Sequence, residues 1–250
     1  MNSTQFWNNR AVRILCAVLF WALVWQLASM AVGLNLLLPG PVTVLRALLE
    51  LIVESKFWGA AALTILRILG GFLLGTLLGF LVAVLTEFVP ALEVILSPAV
   101  RIMRATPVAS FILLCMLWLT SGFVPALIAG MMVLPIVWEN VSQGFRQADI
   151  RLLEMSRVFG MSPLHTFFYI YLPSTLPYLR AACITAIAMA FKSGVAAEVL
   201  CQPKRSVGTQ LYYSKIYLET ENLFAWTAVV VVLSICMEKL ISRLLRAAKV

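Results

Sequence analysis

The residue types that usually carry catalysis or metal binding are few and scattered in this sequence. His165 is the single histidine, and the five cysteines include no CxxC pair. Four of them, Cys16, Cys115, Cys183 and Cys236, lie in apolar runs, where cysteine usually packs as a small hydrophobic side chain. The sequence has no phosphate-binding G-x4-G-K-[ST] loop, no G-x-S-x-G nucleophile elbow and no HExxH pair. We therefore expect no catalytic residue and no metal site in this chain.

The most regularly patterned polar segment spans residues 149–177. Asp149 can cap a first short helix, and Gly160 is suited to the left-handed conformation that ends one. Ser162, followed by a proline, is typical of the start of a second helix, which we expect to end before Pro173. Two short helices with a sharp break are too short to be a domain, yet too regularly patterned to be a mere linker.

The composition indicates that the elements around this segment lie in a lipid bilayer. Hydrophobic residues make up 62% of the 250 residues and charged ones 12%, against roughly 45–50% and 25% in soluble domains. The net charge of +8 comes from scattered residues that mostly flank apolar runs. That pattern is typical of membrane topology and not of nucleic-acid binding.

Six membrane-spanning helices are predicted. Residues 14–38 form a run of 25 without a charge, too long for a signal-peptide core of about 7–15, so we interpret it as an uncleaved anchor. Residues 105–138 are also uncharged and would make about 51 Å of helix, too long for one crossing of a core about 30 Å thick. The predicted spans are Ile14–Gly33, Leu63–Leu85, Pro107–Thr120, Phe123–Glu139, Leu176–Leu200 and Asn222–Leu240, with an amphipathic interfacial helix at Val42–Lys56.

The distribution of Lys and Arg predicts the orientation. With the N-terminus in the cytoplasm, twelve of these residues lie in inner segments and six in outer ones. This arrangement places the C-terminus and the 142–176 loop in the cytoplasm as well.

Three glycines, Gly71, Gly75 and Gly79, recur at four-residue intervals on one face of the second span. Small residues at that spacing let two helices approach closely. The partner helix could belong to the same subunit, which we favour, or to a second one.

Two charged residues in the fifth span are candidates for lining a translocation pathway, if the membrane helices enclose one. Lys192 lies about 18 Å deeper along the helix than Arg180, where a charge costs at least about 2.5–3.5 kcal/mol unless it is paired, hydrated or able to snorkel. Lys192 could face a watery path for an anion or snorkel to the outer interface. Glu198 lies about 120° from Lys192 around the helix and is a poor partner for it; a structural role is its alternative.

The 149–177 segment resembles the EAA loop of binding-protein-dependent ABC importer permeases, E-A-A-x3-G-x9-I-x-L-P. The two alanines of that pattern are Met155 and Ser156 here, and the spacing is kept throughout. The matching residues are Glu154, Gly160, Ile170, Leu172 and Pro173.

Further stretches resemble the nitrate/sulfonate/taurine-type branch of these permeases, so that the resemblance covers roughly residues 35–245. They are Leu38–Pro41, the glycine-rich second span, Ser97-Pro98 ahead of Arg101, and Ala196-Ala197-Glu198.

The resemblance implies an all-α integral membrane protein with the type I ABC importer permease fold and cytoplasmic coupling helices. One permease domain would cover residues 1–250, with a family-like core at 35–245 and the coupling loop at 149–173. The implied ATPase-coupling residues are Leu153, Glu154, Arg157, Gly160, Ile170, Leu172 and Pro173.

The same resemblance implies the working environment of the chain. It would sit in a bacterial inner membrane with two ATPase subunits, a second permease copy (identical or related) and an extracytoplasmic solute-binding protein. The chain itself would be a transport subunit and not an enzyme, without a cofactor, while the ATPase would use ATP and Mg. The solute would be small, with anions such as a sulfonate or nitrate among the candidates.

Two other classes of protein are alternatives. A secondary transporter or channel would need no ATPase, but it would be expected to show inverted repeats or broken helices with internal charges, and the sequence has no convincing repeat. A membrane enzyme would need a catalytic site that these scattered residues do not supply.

Overall fold

The computed structural model describes residues 10–247, and all regular structure in that range is helical. Five helices are long and apolar enough to cross a bilayer, and a bent pair of shorter helices raises the number to six. The all-α membrane fold with about six spans is thus confirmed. The elements are α1 (Arg10–Val32), α2 (Pro41–Val53), α3 (Ser55–Phe88), α4 (Pro90–Ala105), α5 (Val108–Cys115), α6 (Val124–Arg146), α7 (Ile150–Val158), α8 (Pro163–Thr166), a π-helical turn (Phe167–Tyr171), α9 (Leu172–Cys201), α10 (Val207–Ile216) and α11 (Thr220–Ala247).

The chain forms two compact units. The first comprises the chain up to Trp58 with Gln210–Val229, and the second comprises Gly59–Thr209 with the chain from Val230 onward. In the first unit, α2 is the predicted amphipathic helix, and it shares an apolar core with the fully buried Ala225 of α11. The large apolar side chains of α1 are mostly exposed, as expected for a helix that faces lipid.

The second unit is built around α6, which packs closely against α3. A Cβ atom on Gly71 would overlap the carbonyl oxygen of Ala126, and one on Gly75 would overlap that of Gly130. A Cβ on Gly79 would lie only 2.8 Å from the carbonyl oxygen of Leu134, one further turn along α6. The structure therefore places all three glycines of the repeat against α6 of the same chain, where only hydrogen atoms leave room for the facing backbone.

This close approach gives a first testable prediction. Gly75→Ala should destabilise the protein by roughly 1–3 kcal/mol, because a methyl group there must push α3 and α6 apart. Gly70→Ala is the matched control, since a Cβ at Gly70 meets no atom within 4 Å. The thermal unfolding of both variants in detergent checks the expectation, and an equal midpoint for the two would contradict it.

The third crossing differs from the straight span predicted at Pro107–Thr120. Only Val108–Cys115 is helical there, and this helix meets α4 at an angle of 104°. Thr106, just before Pro107, has φ −73° and ψ 128°. A proline ring disfavours the helical conformation of the residue that precedes it, so the break falls between α4 and α5. Sequence periodicity does not report such a bend.

The second helix of the polar loop also differs from its prediction, because it does not end before Pro173. It continues through the π-helical turn directly into α9, so that residues 163–201 form one continuous helical stretch. Proline lacks the amide hydrogen that an α-helix would use, and a π-helical turn changes the hydrogen-bond register just ahead of it. Ser174 and Thr175 donate their hydroxyl hydrogens to the carbonyls of Ile170 and Leu172, at 2.8 Å in each case.

Candidate coupling loop and transport path

The polar loop between α6 and α9 has the local structure that its sequence predicts. The Asp149 carboxylate accepts the backbone N–H of Arg151 at 2.8 Å and caps α7. Gly160 follows α7 with φ of 62°, the left-handed conformation that favours glycine. Ser162 then caps α8, and Pro163 occupies its first turn. The glycine turn and the two caps fix the angle at which the two short helices meet.

The departure from the EAA pattern at Ser156 is accommodated inside the loop. Ser156 is buried, and its hydroxyl donates to the carbonyl of Leu153 at 2.7 Å. A small residue is therefore needed at this position, and serine meets that need with its hydrogen bond satisfied. Met155, the other departure, is exposed and meets no such restriction.

The outer face of the loop is unusually apolar for a segment that should meet water. Val158, Phe159 and Leu164 are 84%, 76% and 71% exposed. Exposed apolar patches of this kind mark contacts with other proteins or membranes. Glu154 and Arg157 are exposed beside them, and within the described chain neither forms an ion pair. We call Glu154, Arg157, Val158, Phe159 and Leu164 the docking face.

The remaining residues of the EAA pattern serve as the base of the loop. Ile170 is buried and Leu172 half-buried, whereas Pro173 is exposed at the start of α9. Leu153, on the inner side of α7, is half-buried as well. The structure thus separates the pattern into an exposed part on α7 and an anchoring part where α9 begins.

An aromatic cluster, which sequence reasoning missed, joins the loop to the spans. Phe88 ends α3, Phe145 lies near the end of α6, and Phe167 and Tyr171 belong to the π-helical turn. The rings of the first two contact those of the second two at centroid distances of 5.8 to 6.3 Å. Such ring pairs stabilise their arrangement by about 0.5–1.5 kcal/mol each. The cluster therefore packs the base of the loop against the ends of α3 and α6.

The two spans that flank the loop also approach closely at the same level. A Cβ on Gly144 of α6 would lie 2.9 Å from the Cα of Thr175 in α9. Nothing larger than glycine fits between these backbones without a shift. The entry to the loop and the exit from it are therefore held together.

Glu198 lies in a buried polar network and not on an open surface. Its carboxylate, fully buried near the end of α9, accepts the Thr64 hydroxyl at 2.8 Å and the Arg67 guanidinium at 3.3 Å. It also accepts the backbone N–H of Gly208 in the first turn of α10, at 3.2 Å. Arg67 donates further to the carbonyl of Lys204. This arrangement favours the structural alternative for Glu198, which ties α3 and α9 to the start of α10.

Lys192 has the opposite environment. Its side chain is exposed on α9, while its neighbours Phe191 and Ser193 are buried. Within the described residues Lys192 forms no ion pair. It stays a pathway candidate.

Comparisons with known proteins agree with this architecture. Residues 75–248 match the family described as binding-protein-dependent transport system inner membrane component. Over 224 residues the chain is 30% identical to the putative aliphatic sulfonates transport permease protein of Escherichia coli (strain K12), covering 88% of this chain and 81% of that protein. It is 26% identical over 239 residues to a bicarbonate transport system permease protein of Synechocystis sp., covering 86% and 84%. A solved amino acid ABC transporter has a TM-score of 0.61 at 18% identity, covering 77% of this chain and 92% of that one.

The fold and these matches define a multi-pass permease of the ABC transporter class. The chain belongs to the family of binding-protein-dependent transport system inner membrane components. It is accordingly a transport subunit in the inner membrane, which works with ATPase subunits that hydrolyse ATP and with a solute-binding protein. The resemblance drawn from the EAA pattern is confirmed, and the importer is favoured over a secondary transporter or channel.

Proposed function

We propose that the docking face of this chain binds a groove of the ABC ATPase and that its movement drives the import of a small anion. The observation that carries this proposal is the exposed apolar face on a loop whose base is held between two spans. A rigid element docked in a partner can pass on that partner's rigid-body movement. Two copies of the chain, or this chain with a related one, would bind two ATPases.

In this proposal each candidate coupling residue has a defined task. Glu154 and Arg157 supply charged contacts at the edge of the docking face, and Leu153 supports α7 from within. Gly160 sets the angle between α7 and α8. Ile170, Leu172 and Pro173 anchor the loop to α9. The ATPase alone would bind ATP and Mg, and this chain would need no cofactor.

A small anion is the proposed solute class. The two permease relatives carry aliphatic sulfonates and bicarbonate in their names, and each of these solutes bears negative charge on oxygen atoms. In this proposal Lys192, exposed and unpaired within the described chain, faces the path between two copies and attracts such an anion. An unpaired charge in a span otherwise costs stability, which is why such residues usually mark ion or substrate pathways.

The docking face is tested by Val158→Asp. A carboxylate on this apolar surface should lower ATPase binding at least about tenfold, because the interface would have to bury an unpaired charge. Val53→Asp, at the end of α2, is the matched control, since Val53 is 86% exposed and Val158 is 84%. Pull-down of the ATPase on the purified permease measures the effect. Equal recovery with both variants would show that the docking face is not where the ATPase binds.

The proposed orientation, with both termini and the loop in the cytoplasm, is tested by thiol labelling. Gln147, in the segment between α6 and α7, and Lys204, in the segment between α9 and α10, are both exposed. In a background without the native cysteines, we expect Gln147→Cys to react with an impermeant reagent only from the cytoplasmic side. Lys204→Cys should react only from outside, and the reverse pattern would overturn the orientation.

A further inference from the structure

A polar cavity of about 490 Å³ lies between α4 and α6, at the end of α6 that leads into the coupling loop. Charged residues are concentrated in its lining: Glu93, Arg101, Arg104, Glu139 and Arg146. Three positive groups face two negative ones, so the lining carries a net charge of +1. The paired side chains among them are 46% to 67% exposed, so the cavity is open to its surroundings.

Both carboxylates of the cavity are already paired. Arg104 Nη1 lies 2.7 Å from Glu139 Oε2, and Arg146 Nη2 lies 3.1 Å from Glu93 Oε1. Arg101, one turn before Arg104 on α4, forms neither an ion pair nor a side-chain hydrogen bond within the part of the chain that is described. The excess positive charge of the cavity is therefore carried by the Arg101 guanidinium, which is exposed.

The rest of the lining combines uncharged polar groups with a fixed aromatic wall. The Ser142 hydroxyl and the Gln143 amide line the cavity and can donate hydrogen bonds. The Trp138 indole N–H donates to the Thr86 hydroxyl at 3.0 Å, which holds the ring in place. Pro135, within α6, adds apolar surface to the same lining. The cavity thus offers a cationic hydrogen-bond donor for the charged group of a small ligand and an apolar wall for the rest of that ligand.

The geometry points to an oxyanion-binding site in this cavity, on the path of the transported solute, with Arg101 contacting the anion. This inference rests on the proposed import of a small anion and names the residue that would select for it inside the permease. A guanidinium presents a planar fork of N–H donors that matches two oxygens of a sulfonate, a carboxylate or bicarbonate. Because Arg104 and Arg146 are neutralised by their own partners, the site would hold one negative charge.

The site is tested first by thiol chemistry in the assembled permease–ATPase complex in nanodiscs. Gln143→Cys places a thiol in the cavity, in a background where the exposed Cys16 and Cys236 are serine. A sulfonate-bearing methanethiosulfonate reagent should modify this thiol about tenfold faster than a trimethylammonium reagent, as expected for a charge-assisted contact. Arg101→Gln should remove the preference and Arg101→Lys should keep part of it. His165→Cys, on the exposed loop, should be unaffected by the change at Arg101.

Protection by free anions identifies the head group. Ethanesulfonate should slow the labelling of the Gln143→Cys thiol if the site takes a sulfonate, and bicarbonate should do so if it takes the smaller anion. Equal rates for the two reagents, with protection by neither anion, would overturn the inference even if the ATPase binds normally. This readout is independent of ATPase docking, so a failure of the proposed coupling would show separately as a loss of the ATPase in pull-down.

Uptake in proteoliposomes gives the functional test. Arg101→Gln should lower anion uptake at least about tenfold while the ATPase stays bound and its basal hydrolysis is retained. Arg46→Gln, an exposed arginine of α2, should transport normally. Normal uptake by Arg101→Gln would remove Arg101 from the path.

Discussion

Gly160→Val is expected to abolish ATP-driven uptake while the chain still inserts into the membrane. Gly160 has φ of 62°, and a side chain in that conformation costs roughly 1–2 kcal/mol, more for a β-branched one. A Cβ at this position meets no atom within 4 Å, so the effect comes from the backbone and not from a clash. We expect the variant to relieve the strain by changing the angle between α7 and α8, which would move one part of the docking face relative to the other. Pull-down of the ATPase and uptake in proteoliposomes measure the loss.

Asparagine provides the matched control for this backbone effect, since it tolerates the left-handed conformation better than other residues with a side chain. Gly160→Asn should therefore retain most of the ATPase binding that Gly160→Val loses. Glu154→Lys should weaken docking to a smaller degree, because it reverses one exposed charge and leaves the turn intact. If Gly160→Val binds the ATPase and transports normally, the loop does not couple the two proteins in the way proposed.

The parts of the loop that could be predicted from sequence are those fixed by local chemistry. A capping side chain such as Asp149 or Ser162 bonds a backbone N–H only two or three residues further on, so the cap depends on the local sequence alone. The left-handed turn at Gly160 follows from the missing side chain at that residue. The length of a span, about 20 apolar residues, is set by the thickness of the bilayer, so long apolar runs identify the spans. Each of these features depends on a few adjacent residues, so they can be recognised without knowing the fold.

The features that sequence reasoning missed depend on distant contacts. Arg67 and Glu198 pair although 131 positions separate them, and no periodic pattern links two such residues. The aromatic cluster joins Phe88 and Phe145 to two rings of the π-helical turn. In a hydropathy pattern these four residues are simply apolar residues near the ends of spans. The bend before Pro107 was missed because apolar composition alone does not distinguish a straight span from a broken one.

Glu198→Ala is expected to destabilise the protein by about 3–5 kcal/mol, the usual effect of removing one partner of a buried ion pair. The substitution leaves the Arg67 guanidinium, only 17% exposed, without its carboxylate. It also removes the acceptor of the Gly208 N–H and of the Thr64 hydroxyl. The end of α9 and the start of α10 should therefore come apart on heating well before the rest of the protein. Thermal unfolding and protease protection of the 202–206 loop measure this.

Two further variants distinguish a structural Glu198 from one on the solute path. Glu198→Gln can still accept from Thr64 and Gly208, so it should lose less stability than the alanine variant, because only the attraction to Arg67 is removed. The double variant Arg67→Met, Glu198→Met should lose less free energy of unfolding than the sum of the two single variants. Each single variant leaves one buried charge without its partner, whereas the double variant leaves none. If Glu198→Gln has a normal unfolding midpoint but no uptake, Glu198 acts on the solute path. If the variant is less stable but its uptake per folded molecule is normal, Glu198 has a structural role. We expect this outcome because Glu198 is fully buried.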